Sequence, residues 1–138
     1  MREAVLDASV VLKWFREAGE HNVEAARGLR AEFEAGRLIA LAPPLLFLEI
    51  LNIAGRRWRL PGPAVEQLAS ALPKLGLQLV EPDLTSVAHW IIGGLTAYDA
   101  AYVAVAEQTG APLITDDAEI ARVAPKISIS LTGYSPST

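Results

Sequence analysis

Cysteine is absent from the 138 residues of the sequence. This absence excludes disulfide bonds, thiolate zinc sites and cysteine nucleophiles, and it agrees with the reducing cytoplasm in which we expect the protein to work. Histidine is scarce, because His21 and His89 are the only two and they lack the spacing of metal ligands. The sequence also has no glycine-rich phosphate loop of the P-loop or dinucleotide-binding type.

Long apolar runs are missing as well. The longest, over residues 38–48, is interrupted by two prolines and is too short to cross a bilayer. Charged residues at positions 2, 3 and 7 occupy the place where a secretory signal needs an apolar stretch. We therefore expect a protein without a membrane anchor.

The composition is that of one globular domain. Hydrophobic residues make up 51% of the chain and charged residues 20%, which excludes disorder, and the length fits a single domain over residues 1–138. The mean hydropathy of +0.29 is high for a small domain, so we expect some apolar surface to lie in a homodimer or another interface. The net charge of −4 argues against a broad nucleic-acid surface, although a bound metal would reverse the field locally.

Strand and helix patterns alternate along the chain. The sequence predicts strands at residues 2–7, 37–41, 77–80, 113–115 and 127–131. It predicts helices at about residues 10–15, 20–35, 45–58, 63–74, 84–93, 97–109 and 117–123. The alternation indicates an α/β fold, a three-layer α/β/α sandwich around a mostly parallel central sheet.

Acidic residues follow two of these strands and begin one of the helices. Asp7 closes the first strand, Asp116 and Asp117 follow the fourth, and Asp99 lies in the first turn of the helix at 97–109. The carboxyl ends of strands are where open α/β sheets bind their ligands. Crowded carboxylates repel one another, and a divalent cation relieves that repulsion. A set of oxygen ligands suits Mg²⁺ or Mn²⁺ better than zinc.

Helix capping offers a structural interpretation of the same acids. Asp7 and Ser9 are both favoured N-cap residues. Thr96 and Asp99 match the capping box, and Asp116 would form a second box with the glutamate three positions later. Taken singly, these residues leave the two interpretations open.

Glu49 lies in a predicted helix that is apolar on almost every side. Burying an unpaired carboxylate is costly, so Glu49 needs a partner such as a cation. The alternative is a narrow polar stripe, because Asn52 and Arg56 follow at the i+3 and i+7 positions of the same helix.

Four segments carry a resemblance to a known family. They are Val5-Leu6-Asp7-Ala8-Ser9, Glu49 in its leucine-rich helix, Tyr98-Asp99-Ala100-Ala101-Tyr102-Val103, and Pro112-Leu113-Ile114-Thr115-Asp116-Asp117. In this order and at this chain length they resemble the PIN domain. They are similar in particular to the VapC toxins of bacterial and archaeal toxin–antitoxin pairs.

The resemblance implies a metal-dependent endoribonuclease that hydrolyses RNA phosphodiesters. It implies that Asp7, Glu49, Asp99 and Asp117 are catalytic and hold Mg²⁺ or Mn²⁺, and Asp116 is a further candidate ligand. It also implies an RNA substrate, a cognate antitoxin and a homodimer.

Two supporting groups and one departure follow from the same resemblance. Thr115 and Ser9 match supporting polar groups. Family members often carry a basic residue soon after the last acid, whereas Ala118 and Glu119 stand there in this chain. A substrate contact at that place is therefore not expected.

Other interpretations remain open from the residues alone. The basic segment 56–59, Arg-Arg-Trp-Arg, either complements a helix C-terminus or contacts phosphate with Trp58 as a stacking surface. A phosphatase of the haloacid dehalogenase type also begins with a strand-end aspartate. It normally has a second aspartate where this chain has Ser9, and it needs a lysine for which the sequence offers no clear candidate. A non-catalytic interaction module, with the acids as helix caps, is the third alternative.

Overall fold

The central sheet has five strands in the order β3-β2-β1-β4-β5, and every pairing is parallel. The computed structural model describes residues 1–134. The strands are β1 (Arg2–Leu6), β2 (Leu38–Ala42), β3 (Gln78–Leu79), β4 (Leu113–Thr115) and β5 (Ser128–Ser130). Each lies within two residues of the position that the sequence predicts, so the parallel α/β architecture is confirmed.

Helices connect the strands. They are α1 (Ala8–Val11), α2 (Val23–Glu34), α3 (Leu45–Asn52), α4 (Gly62–Ala71), α5 (Leu84–Ile92), α6 (Ala97–Thr109) and α7 (Ala118–Val123). Short 3₁₀ turns extend α1 and α4. Within the described residues, no helix is long and apolar enough to cross a bilayer.

The order of the strands creates a switch point between β1 and β4. The chain moves outward in one direction from β1 through β2 to β3, returns past β1, and then moves in the other direction through β4 to β5. Because crossover connections are right-handed, the helices of the two halves cover opposite faces of the sheet. The connections diverge at the carboxyl ends of β1 and β4 and leave a crevice there.

Helix α6 is the most deeply buried helix and lies against β1, β2 and β4. Seven consecutive residues of this helix are buried, Ala100–Ala106, and four of them are alanines. Small side chains allow the helix to approach the sheet closely on one side and α5 on the other. Tyr102 is the one polar side chain in this stretch, with 1% of its surface exposed.

The predicted helix at 45–58 is confirmed, but its last part is not α-helical. Residues Ile53–Arg57 form a π-helical turn, in which the amide of Trp58 donates to the carbonyl of Ile53 over 2.9 Å. Such turns insert one additional residue into a helix. Side chains after the turn are therefore rotated about the helix axis relative to the predicted stripe of Glu49, Asn52 and Arg56.

Candidate active site

Asp7 lies at the end of β1, beside the switch point, with 3% of its surface exposed. It occupies the N-cap position of α1, but its side chain makes no capping hydrogen bond. Instead, Oδ1 accepts from the hydroxyl of Ser9 at 2.5 Å, and Oδ2 accepts from the hydroxyl of Thr115 at the end of β4. The expectation that Ser9 caps this helix is therefore wrong, because Ser9 lies inside α1 and its hydroxyl is turned towards Asp7.

Burial raises the pKa of Asp7 to about 7. The hydrogen bonds from Ser9 and Thr115 oppose this rise, and the nearby charge of Asp117 adds to it. No basic group contributes to the balance. Asp7 is thus a buried acid whose charge is not compensated by the described residues.

Asp117 lies two residues beyond Asp7's partner Thr115 in β4. Its amide donates to the hydroxyl of Thr115 at 2.9 Å, and its Oδ1 accepts from the amide of Ile120 at 3.0 Å. Asp117 therefore caps α7, and the prediction that Asp116 forms this cap is wrong. The cap fixes the Asp117 carboxylate next to Asp7 and leaves Oδ2 without a hydrogen-bond donor among residues 1–134.

Asp116 faces the other way. Its Oδ2 lies 3.4 Å from Nζ of Lys13 and accepts from the side-chain amide of Asn22 at 3.2 Å. Its own amide donates to the Ser9 hydroxyl at 3.1 Å. The Asp116 carboxylate is thus engaged with a cation and an amide, unlike that of Asp117.

Asp99 lies in the first turn of α6. The hydroxyl of Thr96 accepts from the Asp99 amide at 3.1 Å, so Thr96 is the N-cap that the capping-box pattern predicts. Partial burial and the charge of Asp117 raise the pKa of the Asp99 carboxyl, and a hydrogen bond from the Thr96 side chain opposes this rise.

Glu49 projects from α3 towards α6. Its Oε1 accepts from the phenol of Tyr102 at 2.5 Å. Burial is the main cause that raises the pKa of Glu49, the Tyr102 hydrogen bond opposes it, and the charge of Asp99 adds to it. Burial and the charge of Glu49 in turn hold the pKa of Tyr102 far above its ordinary value, so the phenol remains protonated and acts only as a donor.

The four predicted acids form one electrostatically connected set. Asp117 raises the pKa of both Asp7 and Asp99, and Asp99 raises that of Glu49. No three acidic or histidine side chains of residues 1–134 are close enough to form a ready-made metal cage. The chemistry of the set nevertheless fits Mg²⁺ or Mn²⁺, because all the donors are carboxylate oxygens and no basic side chain offsets their charge.

Two residues at this edge were not identified as functional candidates from the sequence. Tyr102 was noted only as part of a motif, although a lone phenol in an apolar helix needs a hydrogen-bond partner. Lys13 has 6% of its surface exposed and pairs with Glu20 at 3.0 Å and with Asp116. A lysine between apolar neighbours gives the same signal that singled out Glu49.

A parallel sheet with acids on both sides of its switch point defines a class of α/β proteins that bind their ligands at this edge. Within this class, the chain belongs to the PIN domain family, whose model matches residues 4–126. PIN domains are generally nucleases. The match replaces the haloacid dehalogenase alternative.

The chain is similar to several solved structures, including the following two. PAE2754 from Pyrobaculum aerophilum is 27% identical, with a TM-score of 0.66 over 95% of this chain and 90% of that one. VapC20 from Mycobacterium tuberculosis, a sarcin–ricin loop cleaving toxin, is 13% identical, with a TM-score of 0.67 over 88% of this chain and 95% of that one. The second likeness concerns the fold alone. No curated protein gives a significant match.

The Glu49–Tyr102 contact yields a first prediction. Tyr102→Phe removes the donor that orients Glu49 but keeps the apolar ring, so we expect weaker Mn²⁺ binding by about 10-fold or more with the fold preserved. Calorimetric titration with Mn²⁺ measures the change. Tyr98→Phe is the matched control, because Tyr98 lies one turn earlier on α6 and is 61% exposed. Equal Mn²⁺ affinities in the two variants would contradict a positioning role for Tyr102.

The pKa of Asp7 yields a second prediction, for the metal-free protein. The folded-state pKa of about 7 is higher than the ordinary value of 3.8, so the folded state binds more protons between these pH values. The free energy of unfolding should therefore fall as the pH rises from about 4 to about 7, by up to about 4 kcal/mol. Asp7→Asn should lose this contribution, whereas Glu66→Gln, at an exposed position, should retain it. Urea denaturation with a chelator measures both slopes, and parallel curves for wild type and Asp7→Asn would contradict the assignment.

Proposed function

We propose that the protein is a divalent-metal-dependent endoribonuclease and the toxin of a VapBC-type toxin–antitoxin pair. The observation that carries the proposal is the uncompensated carboxylate of Asp7, which is buried at the switch point beside the charge of Asp117 and is connected through Asp117 to Asp99 and Glu49. Membership of a family of nucleases supports the hydrolytic class. The VapC20 likeness supports the toxin fold.

Asp7, Asp99 and Asp117 are the residues that would hold Mg²⁺ or Mn²⁺, with Glu49 either joining them or orienting the attacking water. The chemistry that such an ion supplies is activation of water at neutral pH and neutralisation of charge on the phosphate. We assign Asp116 to a structural role, because its carboxylate is already engaged with Lys13.

The protein's own groups prepare these acids for that task. The hydroxyls of Ser9 and Thr115 fix both oxygens of Asp7, so the carboxylate does not rotate when it loses its proton. The hydrogen bond from the Ile120 amide holds Oδ1 of Asp117 in the same way. Fixed ligands lose little conformational entropy when an ion binds, which favours affinity.

The proposed partners are an RNA substrate, a cognate antitoxin and a second copy of the chain. Large apolar side chains are exposed on α5 and at the start of α6, at Leu84, Ile91, Ile92 and Tyr98. Exposed apolar side chains of this size favour an interface with another chain. An antitoxin that inserts an arginine among the acids would neutralise them and compete with the metal.

The first test of the proposed function is RNA cleavage. Wild type should cleave single-stranded RNA with Mg²⁺ or Mn²⁺ and stop when a chelator is added. Asp7→Asn and Asp99→Asn should each reduce cleavage at least 100-fold, on the order expected when a metal ligand is lost, while the circular dichroism spectrum is unchanged. Glu66→Gln should cleave like wild type. Undiminished cleavage by either folded aspartate variant would refute the site.

The second test is thermodynamic linkage. Because only the folded state has the acid set, Mn²⁺ at a hundredfold excess over its Kd should stabilise the protein by about 2.7 kcal/mol. The increase in thermal midpoint should shrink in Asp99→Asn and in Asp117→Asn. It should persist in Asp116→Asn, whose side chain we place outside the ligand set. A midpoint that does not respond to millimolar Mn²⁺ would count against any metal site.

A further inference from the structure

A cleft of about 620 Å³ lies beside the acid set. Its lining includes Ser9, Lys13, His21, Asn22, Arg57 and Asp116. Two of these residues join the cleft to the candidate active site, because Ser9 donates to Asp7 and the amide of Asp116 donates to Ser9. A ligand in this cleft therefore lies next to the site at which we propose cleavage.

The cleft contains two strong cations with different surroundings. Lys13 is buried and forms ion pairs with Glu20 and Asp116, so its charge is already neutralised within the protein. Arg57 is exposed, and no residue of 1–134 forms an ion pair, hydrogen bond or ring contact with it. The guanidinium of Arg57 is thus free to bind a ligand.

Arg57 reaches this cleft from the π-helical turn. Arg57 is the last residue of the turn, and it lines the cleft together with Ile53, the first residue of the turn. Arg56, which a regular helix would align with Glu49, does not line it. Of these two adjacent arginines, only Arg57 lies at the edge of the cleft.

The same turn separates Arg57 from Trp58. The ring of Trp58 lies under the guanidinium of Arg16 at 5.5 Å and lines a different groove, with Phe15 and Leu60. The basic segment at 56–59 consequently does not act as a unit that combines phosphate contact and stacking. Arg56 and Arg57 both lie in the last turn, as the helix C-terminus interpretation expects, and of the two only Arg57 lines the cleft.

We propose that Arg57 binds a phosphate of the RNA strand next to the phosphate that is cleaved. This inference rests on the proposed function. The negative charge of the acid set repels the RNA backbone. A free guanidinium beside the acid set attracts a neighbouring phosphate and holds the strand, while the carboxylates remain available at the phosphate that is cleaved. The exposed side chains of His21 and Asn22 line the same cleft and offer the adjacent nucleotide further polar partners.

The experiment compares Arg57→Gln with Arg56→Gln. The two residues are adjacent and exposed, and they differ in that only Arg57 lines the cleft. Cleavage of a labelled single-stranded RNA is measured with Mn²⁺ at several salt concentrations. Arg57→Gln should raise KM about tenfold, leave kcat within about twofold, and reduce the slope of log(kcat/KM) against log[salt] by about 0.7, the share of one phosphate contact.

Further readouts separate a substrate contact from an indirect effect. Arg57→Gln should weaken binding of the same RNA in a chelator, as followed by fluorescence anisotropy, and leave Mn²⁺ affinity and the thermal midpoint unchanged. Arg57→Lys should restore most of the affinity, since a point charge also binds phosphate. Arg56→Gln should match wild type throughout.

Three results would overturn the inference. Identical KM and salt slope in Arg57→Gln and Arg56→Gln would mean that the cleft does not bind RNA. A protein ligand would then be the remaining candidate for the cleft. A loss of kcat and Mn²⁺ affinity at unchanged KM would mean that Arg57 acts through the acids. A wild-type protein that neither cleaves nor binds RNA would refute the proposed function as well, and this result is visible without any variant.

Discussion

The hydrogen bond from Thr115 to Asp7 connects the carboxyl ends of two adjacent parallel strands, and the arrangement of the site depends on it. β1 and β4 are neighbours because the order of strands reverses between them, so their ends meet in a crevice. The bond fixes one oxygen of the buried Asp7 carboxylate, while the hydroxyl of Ser9 fixes the other. The amide of Asp117 donates to the same hydroxyl, which sets the start of α7 relative to Asp7.

Burial of Asp7 is unfavourable for the metal-free protein and favourable for its proposed task. A carboxyl with a pKa of about 7 carries its proton part of the time at neutral pH, which limits repulsion from Asp117. A divalent cation bound there, as we propose, would replace that proton and remove the cost of a buried charge. The site would then exchange stability in the empty state for affinity in the loaded state, a compromise that is common at functional sites.

The fold was predictable because its signals are local and repeated, whereas the details of the site depend on tertiary contacts. Alternating apolar segments located all five strands, and the family resemblance selected the four acids. The cap of α6 was predicted correctly, but those of α1 and α7 were misassigned by one or two residues, since Ser9 and Asp116 have the right side chains but the backbone begins these helices at neighbouring positions. The π turn was not predictable, because the helical pattern of residues 45–58 continues through it, and its register decides between Arg56 and Arg57.

The net charge of the whole chain does not describe the charge of the cleft. The chain carries 12 basic residues and a charge of −4, which suggests little affinity for a polyanion. Several of these cations are already paired within the fold. Arg27, Arg30 and Arg122 pair with exposed acids, Arg37 pairs with the buried Glu32, and the buried Lys13 pairs with Glu20. The attraction of a polyanion to the cleft therefore depends on Arg57, the cation of this cleft that has no partner among residues 1–134. A field of this kind is local and directional, so the position of a single arginine outweighs the total.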